Sequence, residues 1–193
     1  MNRTSNISRS TKETSIELRL DISGGGIAVD TGIGFFDHML TALFFYAGFG
    51  AALKAGGDIH VDAHHTVEDT GIAIGQALRE ALGDKIGINR FGSAFVPMDE
   101  ALGHTALDIS GRPYLVFDAD MPQSVIGGYD ACLTEEFMRA FAVNAGVTLH
   151  MRALYGKNAH HMTEALYKSL GLALKEAVQI FGDEITSTKG VLD

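Results

Sequence analysis

The chain has 193 residues, 46% of them hydrophobic, which is enough for one domain or two small fused halves around a buried core. A net charge of -9 and a pI near 5.3 argue against a nucleic-acid binder held by phosphate neutralisation, so any anionic ligand needs a locally basic pocket. Cys132 is the only cysteine, which excludes an internal disulfide framework and makes a reducing, cytoplasmic compartment the expected one.

The N-terminal run MNRTSNISRSTKETS is polar throughout and lacks the apolar centre of a secretion signal. Period-two alternation then predicts a strand over TSIELRLDI (14–22), a turn at Gly24 to Gly26 and a strand over IAVDT (27–31). Apolar spacing of three and four predicts a helix from Phe36 to Ala47. The uncharged run Met39 to Leu53 is too short to span a membrane and reads as a buried helix. Alternation returns in DIHVDA (58–63), and a long helix opens at His64. Residues 83–98 read as a connection. The second half predicts strands at GHTALDI (103–109) and YLVFDAD (114–120) around an SGRP turn. A helix from Glu135 to Ala145, a strand at VTLHMRA (147–153) and a long helix opening at His160 follow.

The same order appears twice because the chain is an internal duplication. HHxxE occurs at 64–68 and at 160–164. EDTGIAIGQALREAL (68–82) lies over EALYKSLGLALKEAV (164–178) and pairs Gly75 with Gly171, while KETSIELRLDISGG (12–25) lies over DEALGHTALDISGR (99–112). Superposing the closing Ala-Gly of DHMLTALFFYAG (37–48) and EEFMRAFAVNAG (135–146) places His38 opposite Glu136. The strand histidines His60 and His150 also match and read as supporting residues. The division falls at 1–91 and 92–193, within one compact domain. Since strands and helices do not alternate regularly, each half is expected to be α+β with antiparallel pairing, its sheet covered on one face by two helices.

Neighbouring residues on a helix differ by about 100° in direction, whereas residues three or four apart share a face. His64 and Glu68 can therefore reach one metal while His65 points elsewhere, and the same holds for His160, Glu164 and His161. With His38 and Glu136 as matched extras, His38, His64, His65, Glu68, Glu136, His160, His161 and Glu164 supply enough donors for two octahedral sites with an open position. Imidazole and carboxylate together suit manganese, iron or zinc. The order HHxxE differs from the HExxH of zinc proteases and the ExxH of di-iron bundles.

The runs GFFDHML, DAHHTVEDTG, NRFG, PMDEAL, SGRPY, GKNAHHMTEA and STKGVL, in this order between Thr11 and Leu192, closely resemble the imidazoleglycerol-phosphate dehydratase family of histidine biosynthesis. The resemblance implies a lyase that dehydrates D-erythro-imidazole glycerol phosphate to imidazole acetol phosphate through a metal-bound imidazolate. It implies two Mn2+ per active site, held by His38, His64, His65, Glu68, His160, His161 and Glu164. It further implies a duplicated fold similar to the second domain of ribosomal protein S5, with two mostly antiparallel sheets enclosing four helices. Self-association through trimers into a 24-mer, with active sites at subunit interfaces, is also implied. Carried onto this chain, the substrate contacts are Glu13, Arg90, Arg112, Lys168, Ser187, Thr188 and Lys189, and the acid–base candidates are Glu13, Glu68 and Glu164.

The chain departs from that pattern at Glu136, where many relatives carry histidine, and at Ala42 and Tyr46, where many carry glutamine and histidine near the substrate phosphate. Two other readings use the same donors: a non-catalytic metal-binding shell and a dinuclear metal phosphohydrolase. Arg90, Arg112 and Lys189 would be pointless in a storage shell, and the Asp-rich ligand patterns of phosphohydrolases are missing. The acidic balance disfavours an S5-like RNA-binding module.

Overall fold

The computed structural model describes residues 3–192. In chain order the elements are β1 (Thr4–Ser10), β2 (Thr14–Asp21), β3 (Ile27–Asp30), α1 (Gly34–Ala47), β4 (Gly50–Gly57) and α2 (His64–Leu82). The second half repeats them as β5 (Phe91–Met98), β6 (Ala101–Asp108), β7 (Tyr114–Asp118), α3 (Leu133–Ala145), β10 (Thr148–Tyr155) and α4 (Ala159–Ala177), with a short hairpin, β8 (Val125–Ile126) and β9 (Tyr129–Asp130), inserted before α3.

Each half forms a four-stranded sheet of the same topology, β1-β2-β4-β3 and β5-β6-β10-β7. All pairings in these sheets are antiparallel except β3 with β4 and β7 with β10. Alternation in β2 buries Ile16, Leu18 and Leu20 and turns Glu17 and Arg19 outward. Helices α1 and α2 cover one sheet, α3 and α4 the other, and α2 meets α3 as α1 meets α4. The four helices thus lie between two sheets, as the duplication and the family resemblance predict.

Several local readings need correction. Residues 58–63 are a turn, and the strand before α2 is β4, so the run Met39 to Leu53 ends as strand rather than as helix. Gly50–Gly57 reads GAALKAGG, with no β-branched or aromatic residue to announce a strand. It is held extended because β2 pairs along one edge and β3 along the other. His60 consequently sits in a turn while His150 lies in β10, and their match does not survive. The stretch read as a connection, 83–98, contains β5, and the polar N-terminus contains β1; both are edge strands with one sheet neighbour.

The helix layers meet through glycine. A Cβ on Gly75 would lie 2.7 Å from Phe141 O, and one on Gly171 would lie 2.7 Å from Leu43 O. Under the Ala-Gly superposition Phe141 and Leu43 are themselves repeat partners, so one crossing is built twice. Around it Phe36, Leu40, Phe137, Phe141, Tyr129 and Tyr167 are fully buried.

This packing gathers the four helix N-termini at one end of the molecule. Ile33, His64 and Leu133, at the starts of α1, α2 and α3, line one cleft of about 470 Å³. The ring of Phe35 in α1 lies 4.9 Å from that of His160 in α4. Both HHxxE motifs therefore face the same end.

Candidate metal and active site

Asn158 caps α4 by accepting from the His160 amide at 2.9 Å, which starts the helix at the motif and aligns His160 with Glu164 one turn later. Glu164 is 6% exposed. Its Oε2 lies 3.2 Å from His160 Nε2 and 3.7 Å from His38 Nε2, the latter reaching across from α1. One donor atom from each of His38, His160 and Glu164 falls within 4.8 Å of the others. The other carboxylate oxygen, Oε1, receives Lys168 Nζ at 2.7 Å. Lys168 is seated against Met98 Sδ at 3.6 Å and over the Tyr46 ring at 5.5 Å. Burial pushes the Glu164 carboxyl up, but the Lys168 hydrogen bond and the charges of Lys168, His38 and His160 outweigh it and hold the group below its ordinary value. A buried anionic oxygen aimed between two imidazoles fits a divalent cation of borderline softness.

The first motif is arranged differently. His64 Nε2 is 3.8 Å from Glu68 Oε2, and both side chains are nearly half exposed. His65 diverges from His64, with ring planes at 85°, as His161 diverges from His160 at 76°. His65 Nδ1 donates to Asp58 at 3.1 and 3.2 Å and lies 4.0 Å from Glu13. Its pKa is raised, first by the Asp58 hydrogen bond. Glu136 faces Arg139 Nε at 3.8 Å on its own helix. Among the described residues, the group of three donors close enough for one ion is His38, His160 and Glu164; His64, His65, Glu68, Glu136 and His161 stand outside it.

His161 is held from below. Its Nδ1 lies 2.7 Å from Glu100 Oε2, while Glu100 Oε1 accepts the backbone N–H groups of Lys157 at 3.1 Å and Asn158 at 2.8 Å. The His161 hydrogen bond and then these amides lower the Glu100 carboxyl to about 2, and the same contact raises His161.

Of the predicted substrate cations, Lys168 sits at Glu164, while Arg90, Arg112 and Lys189 gather elsewhere. Arg90, at φ 76°, places Nε and Nη2 on Asp108 at 2.6 and 3.0 Å and Nη1 on Thr186 O at 2.9 Å, tying down the C-terminal segment. Arg112 stands 3.8 Å from the same Asp108 and is 59% exposed. Ser187 Oγ accepts from the Lys189 amide at 3.2 Å, and Thr188 and Lys189 are exposed. Arg90 N bonds Ala177 O, the last residue of α4, and Gly111 N bonds Gly146 O, the cap of α3. The cations therefore cluster at the C-terminal ends of these helices. At about 1.5 Å per residue, α4 separates Ala177 from Glu164 by about 20 Å.

Asp58, Glu100 and Asp108 escaped the sequence reading. Glu100 and Asp108 carried a signal, since the repeat sets them opposite Glu13 and Asp21; Asp58 carried none.

Comparison with known proteins agrees with this architecture. The family profile described as imidazoleglycerol-phosphate dehydratase matches residues 31–174. The curated imidazoleglycerol-phosphate dehydratase of Streptococcus mutans is 52% identical over 193 residues, covering 98% of this chain and 100% of that protein. The one from Limosilactobacillus fermentum is 52% identical with the same coverage. The crystal structure of the Staphylococcus aureus enzyme superposes with a TM-score of 0.85 at 37% identity, over 92% of this chain and 99% of that one. The Pyrococcus furiosus enzyme, solved in complex with (S)-C348, gives 0.85 at 40% identity over 96% and 100%. Sequence, fold and relatives converge, and the chain belongs to the imidazoleglycerol-phosphate dehydratase family, the hydro-lyases of histidine biosynthesis.

Proposed function

We propose that this chain converts D-erythro-imidazole glycerol phosphate to imidazole acetol phosphate. His38, His160 and Glu164 hold one divalent cation, and the remaining candidate donors, His64, His65, Glu68, Glu136 and His161, complete a two-Mn2+ centre. The convergence of His38, His160 and Glu164 from two helices in different halves carries this reading. A bound divalent cation supplies a Lewis acid that lowers the pKa of an imidazole it contacts.

The chain's own groups do the rest. The substrate carbon that loses its proton has no flanking carbonyl, so a base must take that proton and an acid must protonate the departing hydroxyl. Glu13, 55% exposed beside His65, serves as one of these, with Glu68 and Glu164 as the other carboxylates of the site. The resulting enol becomes the ketone, and one water leaves. Lys168 neutralises Glu164 and presents its ammonium beside Tyr46. Arg112 and Lys189 receive phosphate, and Arg90, already forked onto Asp108, holds Ser187, Thr188 and Lys189 in place.

A substrate of this size cannot bridge about 20 Å between the donor end and the cationic end of one protomer. The complete site is therefore assembled between copies, in line with self-association through trimers into a 24-mer. The repeats 1–91 and 92–193 act as halves of one unit. Among the described residues no helix is long and apolar enough to cross a membrane, and cytoplasmic residence fits a biosynthetic enzyme.

The test uses purified, chelator-stripped protein with imidazole glycerol phosphate and increasing Mn2+, following ketone and free phosphate together. Mn2+-dependent ketone without phosphate is expected. Phosphate release would promote a dinuclear phosphohydrolase, and silence in both channels a metal-holding shell.

A further inference from the structure

The two halves support their histidine pairs by different means. Superposing β2 on β6 pairs Thr14 with Ala101 and Asp21 with Asp108, and therefore Glu13 with Glu100, each the last residue before its strand. Each glutamate faces the second histidine of its own half. Glu100 Oε2 reaches His161 Nδ1 at 2.7 Å, but Glu13 Oε2 stays 4.0 Å from His65 Nδ1. In the first half Asp58 has taken that nitrogen, with both oxygens at 3.1 and 3.2 Å.

Asp58 has no acidic counterpart. A bulge between Ala153 and Tyr155 brings Gly156 to the position of Gly57. A Cβ on Gly57 would meet Thr66 Oγ1 and one on Gly156 would meet Met162 Cγ, Thr66 and Met162 being the third residues of their motifs. The residue after Gly57 is Asp58; the residue after Gly156 is Lys157, which contributes only its backbone N–H to Glu100.

We propose that Asp58 and Glu100 are positioning residues for His65 and His161, and that recruitment of Asp58 leaves Glu13, the repeat counterpart of Glu100, disengaged for the substrate. The proposal rests on the reading of HHxxE as metal-ligating. A carboxylate that accepts Nδ1–H selects the neutral tautomer with the Nε2 lone pair outward and fixes the ring plane, which strengthens a metal ligand. Glu100 is itself anchored by the Lys157 and Asn158 amides and cannot swing away. The two repeat-equivalent glutamates are thus used differently: Glu100 supports His161, while Asp58 supplies the support in the first half and Glu13 stands free of it.

The experiment measures Mn2+ affinity of the chelator-stripped full chain by calorimetry and by the electron paramagnetic resonance of bound Mn2+, alongside kcat and KM. Glu100→Ala and Asp58→Ala are expected to weaken Mn2+ binding about 10–100-fold. Glu100→Gln, whose amide oxygen still accepts from Nδ1–H, recovers most of that affinity and covers the case in which the alanine variant does not fold. Glu13→Ala binds Mn2+ like the unsubstituted chain and loses kcat. Unchanged affinity in Glu100→Ala, or an equal loss in Glu13→Ala, overturns the division of roles. His161→Ala separates the two levels: undiminished Mn2+ binding there refutes the ligand reading itself, whereas weakened binding in His161→Ala with intact binding in Glu100→Ala overturns only the positioning role.

Discussion

Glu164 concentrates the electrostatics of the site. One carboxylate oxygen is committed to Lys168 and the other points between His38 and His160, so in the metal-free chain the buried charge depends on the lysine. Lys168→Met keeps the stem volume and removes the cation. Breaking a buried pair in this way costs about 3 kcal/mol, which lowers the melting temperature of the metal-free protein by about 6–12 °C. Mn2+ restores a positive partner, so its addition is expected to raise the melting temperature of Lys168→Met more than that of the unsubstituted chain. Thermal melts with and without Mn2+ decide this, and equal shifts in both proteins would remove His38, His160 and Glu164 as the ion's seat. At the same scale, Lys189→Ala is expected to raise KM about tenfold or more with a smaller effect on kcat, since an exposed tail cation acts on substrate binding. Steady-state kinetics read it directly.

Among elements, the decisive contacts are the two glycine crossings. Gly75 and Gly171 are expected to tolerate no side chain, because each Cβ would press on a backbone carbonyl of the facing helix that cannot rotate away. Gly75→Ala and Gly171→Ala should each destabilise by about 1–3 kcal/mol, as overpacking does. Gly26→Ala, where nothing lies within 4 Å and φ is not positive, should change stability by less than about 0.5 kcal/mol. Denaturant melts of the three variants test whether the crossings govern the fold. Both glycines were visible in the sequence as matched repeat positions, but nothing local said what they faced. The strands were legible where side chains alternate strongly, as in β2. They were not in β4, whose Ala and Gly carry little pattern and whose conformation is set by its neighbours on both edges.

At the scale of the whole molecule, the HHxxE side chains lie at one end of the helix layer and Arg90, Arg112 and Lys189 at the other. If catalysis joins them between copies, two defective variants can repair one another. His160→Ala spoils the donor end and Arg112→Ala the cationic end. Each alone is expected to be nearly inactive, while a co-expressed mixture in equal amounts recovers about one quarter of full activity, the fraction of sites that draw an intact end from each copy. Activity no greater than the sum of the separate variants would place the site within one protomer.

The duplication, the helices and the candidate donors in HHxxE were legible in the sequence alone, because period, spacing and repetition are properties of single elements that survive without their surroundings. Which donors meet was decided only in three dimensions. His38 joins His160 and Glu164 from the opposite half, Glu136 turns to Arg139, Arg90 is bound by Asp108, and Asp58 displaces Glu13 from His65. The first and third of these depend on how elements of different halves pack, the fourth on a loop that the other half builds at a different length, and the second on the rotamer that Glu136 takes within its own helix. No local pattern encodes the distances between halves.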